Sequence, residues 1–130
     1  MNRKLLFLGI NLSSIALVAT SAILFLTDAT SDNVSIYSNF QIALQINLFH
    51  AIVLFILALA KRKYNDKNLV NTGYIFTLST LILALPAYIG VLTGNEIMFE
   101  LASISGLIGL ICGWILLTKS FYDIYFAKRR

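Results

Sequence analysis

FQIALQINLFHAIVLFILALA, from Phe40 to Ala60, is an uncharged and mostly apolar run of 21 residues. A helix needs about 20 such residues to cross the hydrocarbon core of a bilayer. His50, the single histidine of the chain, stands halfway along it. Gln41, Gln45 and Asn47 precede that histidine, and the basic cluster Lys61-Arg62-Lys63 closes the run. A spanning signal, an orientation signal and the one side chain that ordinarily titrates near neutral pH therefore share one segment.

Three more runs of the same kind flank it, Leu5–Thr27, Leu69–Asn95 and Leu101–Thr118. The 130 residues are 58% hydrophobic and 12% charged, where soluble domains carry roughly 45–50% and about 25%. The mean hydropathy is +0.82. Four recurring apolar blocks exclude a soluble domain with one buried helix. They predict an all-α, polytopic membrane protein, a bundle of four transmembrane helices in one domain spanning residues 1–130. The net charge of +4 does not point to nucleic acid, because the basic residues sit beside the apolar blocks, as membrane flanks do. The one cysteine, Cys112, lies in an apolar run, so an intrachain disulfide is excluded and a small buried hydrophobe is expected there.

The expected helices cover about 5–27, 40–60, 70–93 and 101–118, followed by an interfacial extension over 119–127. A cleavable signal peptide competes for the first, given Arg3, Lys4 and the small residues Ala19 to Ala22. The apolar character continues through Ile23-Leu24-Phe25-Leu26, beyond any such cleavage point, so the segment is expected to stay as a helix. Asp28 to Asn39 is expected to be a polar connection, and Asn33-Val34-Ser35 within it fits the glycosylation pattern. Pro86 lies inside the third run and predicts a kink near Ile82–Pro86. Phe121, Tyr122, Tyr125 and Phe126 suit the headgroup level and Lys128-Arg129-Arg130 the charged surface.

Alternate connections divide the basic residues cleanly. Arg3, Lys4, Lys61, Arg62, Lys63, Lys67, Lys119, Lys128, Arg129 and Arg130 fall on one side, and Asp28, Asp32, Glu96 and Glu100 on the other, with no basic residue. The positive-inside rule then places both termini in the cytoplasm of a bacterial plasma (inner) membrane, or on the matrix side of an organellar inner membrane.

Helices in lipid associate through close backbone approach and polar contacts. Ser105, Gly109 and Gly113 recur every four residues in the fourth run, with Ala102 and Gly106 in a row beside them, and mark a packing face. Its partner, another helix of the chain or a second protomer, stays open. Gly9, Ser13, Ala16 and Thr20 form a looser row in the first helix. Asn11, Ser14, Thr77, Ser79 and Thr80 are expected as interhelical hydrogen-bond partners, and Trp114 beside Gly113 as a packed residue.

No Asp, Glu, Lys or Arg lies inside a span. A nucleophile with its base, paired acids and a metal-ligand cluster all lack their parts, so no enzyme, no metal and no cofactor is expected. Asn47 and His50, three residues apart, share a helix face, and Gln41 and Gln45 share another. These four form the candidate intramembrane polar site. Ionisable groups in membranes are functional candidates by default, whereas a neutral imidazole bonded to a neighbouring helix is the structural alternative. A structural or accessory role in a membrane complex, or in a homo-oligomer, is therefore expected ahead of an oligomeric small-solute or proton transporter or channel using His50.

Leu48-Phe49-His50-Ala51 through Ala60-Lys61-Arg62 resembles the second span of the YgdD/YwdK-like family of small bacterial membrane proteins, a domain of unknown function. Gly113-Trp114 is similar to that family's closing Gly-Trp, and Tyr88 to Leu92 to the end of its third span. The resemblance implies four helices and membrane residence, without an established reaction. Ser21–Leu26 departs from the family's Gly-Ala-Phe-Gly-Ala-His, Ile104–Leu107 from its Pro-x-Gly-Gly, and Leu83–Pro86 from its Phe-Ser-Gly-Ser. The chain reads as a diverged member.

Overall fold

The computed structural model describes residues 2–26, 34–64, 66–94 and 97–127. It contains four helices, α1 (Arg3–Leu26), α2 (Val34–Lys63), α3 (Asn68–Thr93) and α4 (Ile97–Ala127). Each is long and apolar enough to span a bilayer, and the protein is an all-α, multi-pass membrane protein. Asp28, Asp32, Asn33 of the glycosylation pattern, Glu96 and Lys128-Arg129-Arg130 lie outside the described residues.

Local chemistry sets several helix ends. Asn2 caps α1, its Oδ1 accepting from the backbone N–H of Lys4 at 3.0 Å and of Leu5 at 3.3 Å, which satisfies two of the donors a helix start leaves open. Its own N–H donates to the carbonyl of Ala58 at 3.3 Å, tying the start of α1 to the end of α2. Lys61, Arg62 and Lys63 occupy the last turn of α2, where cations complement the helix dipole. α3 stops at Gly94, whose φ of 72° is left-handed and whose N–H donates to Gly90 O at 2.8 Å. Only glycine adopts that conformation at little cost.

All four helices start before the expected position, α1 and α3 by two residues, α4 by four and α2 by the most. α2 starts by Val34, six residues early, because Ile36 and Phe40 are both buried and carry the inward face back into the polar segment. The extension after Thr118 stays helical, continuous with α4, to Ala127, and Cys112 on α4 is exposed where burial was expected, because it lies off the face that packs on α3. α3 continues through Pro86.

α3 is the central element and packs against the other three; α1 also packs on α2. Among the described residues α1 and α4 form no substantial interface with each other. The buried residues recur at alternating three- and four-residue steps, Leu5, Gly9, Leu12 and Ala16 on α1 and Gly106, Leu110, Gly113, Leu117 and Ser120 on α4. That is the spacing of near-antiparallel helices interlocking along a shallow angle. Consecutive helices alternate in direction, so Arg3, Lys4, Lys61, Arg62, Lys63, Lys67 and Lys119 gather at one end of the bundle and Glu100 at the other.

The small face of α4 packs on α3. A Cβ added at Gly106 would stand 2.8 Å from Leu83 Cβ and 3.1 Å from Ser79 O, and one at Gly113 would stand 2.6 Å from the Phe76 ring. At Gly109 it would collide with the Ser79 hydroxyl. The three glycines allow close backbone approach, and their partner is a helix of the same chain. Ser105 does not share this seam; it is exposed, and its hydroxyl donates to its own helix at Ala102 O, 2.9 Å away.

Candidate functional site

The four polar residues singled out on α2 separate. Gln41 and Gln45 are exposed, whereas Asn47 and His50 are buried, at 0% and 4% exposure. The helical period explains the split. Asn47 and His50 lie on the stripe Phe40, Ala43, Asn47, His50, Leu54, Leu57 that faces α3, whereas Gln41 follows Phe40 by one residue and Gln45 falls midway between Ala43 and Asn47, so both turn away from it.

Asn47 Nδ2 donates to the hydroxyl oxygen of Tyr88 on α3 at 2.9 Å. Tyr88 is itself buried and meets the Phe40 ring edge-on at 5.6 Å, so α2 and α3 are joined by a polar and an aromatic contact at one level. In lipid such an interhelical bond contributes roughly 0.6–2 kcal/mol.

One turn along α2, His50 Nδ1 lies 2.8 Å from the carbonyl of Ile46. A carbonyl only accepts, so Nδ1 carries the proton. The other ring nitrogen, Nε2, is buried without a hydrogen-bond partner. Rings surround the imidazole. Phe49 meets it edge-on at 5.3 Å, Phe76 of α3 at 5.1 Å and Trp114 of α4 at 6.4 Å, and Phe76 and Trp114 are 5.3 Å apart. Three helices thus place their aromatic residues at one depth, with the histidine between them. In the neutral ring Nε2 is an acceptor, so a donor entering this cluster would find one lone pair in an otherwise apolar setting.

Other polar groups of α3 face inward. Thr72 and Thr80 are fully buried, and neither hydroxyl has a hydrogen-bond partner; the same holds for Ser120 on α4. The expected interhelical role fails for Thr77, whose hydroxyl donates to Gly73 O of its own helix at 2.8 Å. Ser13 and Thr20 on α1 do the same, to Gly9 O at 3.0 Å and Ala16 O at 2.8 Å, since a short hydroxyl reaches the carbonyl one turn back with little strain. Ser14 is exposed. Among the described residues no three His, Cys, Asp or Glu side chains come together as a metal site.

Phe40, Phe76 and Trp114 were not legible as neighbours of the polar pair. A signal existed for Tyr88: folding the second and third runs about their short loop brings it within about one helical turn of Asn47 in height.

A family model described as "Protein of unknown function (DUF423)" matches residues 25–106. These residues include Asn47, His50, Phe76 and Tyr88; Gly109, Gly113 and Trp114 lie beyond them. No curated protein and no solved structure matches the chain. The chain belongs to the DUF423 family, that of the YgdD/YwdK-type small membrane proteins.

Proposed function

We infer, taking membership of this family as the premise, that the protein is a non-enzymatic accessory component of a bacterial inner-membrane assembly, with both termini in the cytoplasm. One observation carries the accessory role. With its glycine seam engaged by α3, α4 still presents a second stripe, Ser105, Ile108, Cys112 and Ile115, all exposed on one face. Alternating small and aliphatic residues at three- and four-residue steps suit a further helix in the membrane. The gathering of basic residues at one end of the bundle supports the orientation.

Bismaleimide crosslinking in native membranes through Cys112 tests this reading, with Cys112→Ser as the blank. Leu17→Cys, on the exposed side of α1, serves as the off-face control in that background. A discrete adduct from Cys112 and none from position 17 is the expected result. No adduct, or equal adducts from both faces, would overturn it.

The unpartnered Nε2 of His50 supports a second reading, an oligomeric small-solute or proton transporter or channel with His50 in the pathway. It requires His50→Ala to abolish a measurable flux while expression stays intact, and a mutant that behaves as wild type ends it.

A further inference from the structure

The outward face of α4 also forms a shallow, largely open groove of about 590 Å³, lined along α4 alone by Ile111, Trp114, Ile115, Thr118, Lys119 and Tyr122. The groove shares Ile115 with the stripe of Cys112, and its Trp114 borders the glycine seam through Phe76. We propose that it is a specific site for one anionic phospholipid, the acyl chain lying along Ile111, Trp114 and Ile115 and the phosphate meeting Lys119 and Tyr122.

Length, polarity and charge all point to this occupant. From Ile111 to Tyr122 the helix rises roughly 16 Å, about one leaflet of a hydrocarbon core ~30 Å thick. The lining is aliphatic and aromatic at its deep end. It turns to a lysine and a phenol at the end of the bundle where the other basic residues gather. The Thr118 hydroxyl donates to Trp114 O at 2.9 Å and leaves the polar end to those two groups. Lys119 is exposed, and no ion pair joins it to Asp123, the nearest carboxylate on its own helix face. An ammonium at the mouth of an apolar groove complements a lipid phosphate, and a net negative headgroup more than a zwitterionic one.

Trp114 is the single tryptophan of the chain and lines the groove, so its fluorescence reports occupancy directly. The full-length protein is reconstituted in phosphatidylcholine bilayers, and either brominated phosphatidylglycerol or brominated phosphatidylcholine is added stepwise. Quenching by the anionic lipid is expected at about five-fold lower mole fraction, the preference that one lysine near the surface confers. Lys119→Gln should bring the two curves together. Arg62→Gln, at the same end but on α2, should leave the preference intact. Coincident curves for the wild type overturn the proposal, as does a loss in Arg62→Gln equal to that in Lys119→Gln, which would reveal diffuse attraction to the basic end. Quenching by neither lipid also overturns it, since a second copy of the chain would then cover this face.

Discussion

Replacing Gly106 by alanine should loosen the contact between α3 and α4, by an amount the geometry sets. The new Cβ would stand 2.8 Å from Leu83 Cβ, 3.1 Å from Ser79 O and 3.2 Å from Leu83 N. Carbon atoms settle at about 3.5–4.0 Å, so α4 must retreat by about 0.7 Å or more at this level. No rotamer change relieves the clash, because two of the three atoms belong to the α3 backbone. A gap of that size forfeits a quarter to a half of the attraction of each contact it opens, and the contacts at Gly109 and Gly113 lie on the same seam. Overpacking costs about 1–3 kcal/mol, and alanine's better helix propensity offsets at most about 1 kcal/mol. A net loss of about 1–2 kcal/mol follows. Unfolding in mixed micelles with increasing sodium dodecyl sulfate measures it, with Trp114 as the reporter, since that ring packs on Phe76 across the seam. Ser105→Ala, an exposed site, should stay within about 0.5 kcal/mol of wild type. An unchanged midpoint in Gly106→Ala, or an equal loss in Ser105→Ala, would refute the reasoning.

Tyr88→Phe should destabilise the bundle by about 1 kcal/mol, and a double-mutant cycle with Asn47→Ala should show coupling of that order; additive effects would deny the interhelical bond. Gly94→Ala forces a side chain into left-handed backbone and should cost about 1–2 kcal/mol in the same unfolding assay, although its Cβ would touch nothing. In a Cys112→Ser background, single cysteines at positions 65 and 128 should react only with reagents that cross the membrane, and those at positions 30 and 97 with reagents added outside. Labelling of position 65 from outside would reverse the topology.

The four spans were legible because apolar length and the partition of charge survive any detail of packing. Asn47 and His50 were legible as a pair because three residues nearly complete a helical turn. The packing face of α4 was legible only in part. A strict four-residue row, Ser105-Gly109-Gly113, advances about 40° per step on a helix of 3.6 residues per turn, so its first member swings out of contact. The real seam alternates three and four and runs through Gly106. The destinations of the threonine hydroxyls were not legible, because the choice between a neighbouring helix and a carbonyl one turn back depends on clearances of a few tenths of an ångström. The aromatic ring around His50 was hidden for another reason: its members come from three helices, and their height depends on how each pair is staggered.

The central position of α3 has a consequence for biogenesis. Translation delivers α1 and α2 to the membrane before the helix that covers them, so their hairpin must wait with the carboxamide of Asn47 and the imidazole of His50 turned toward lipid or toward the insertion machinery. Tyr88, which accepts from that carboxamide, lies near the far end of α3 and arrives last. An intermediate in which α3 has not yet inserted would therefore leave that polar stripe uncovered.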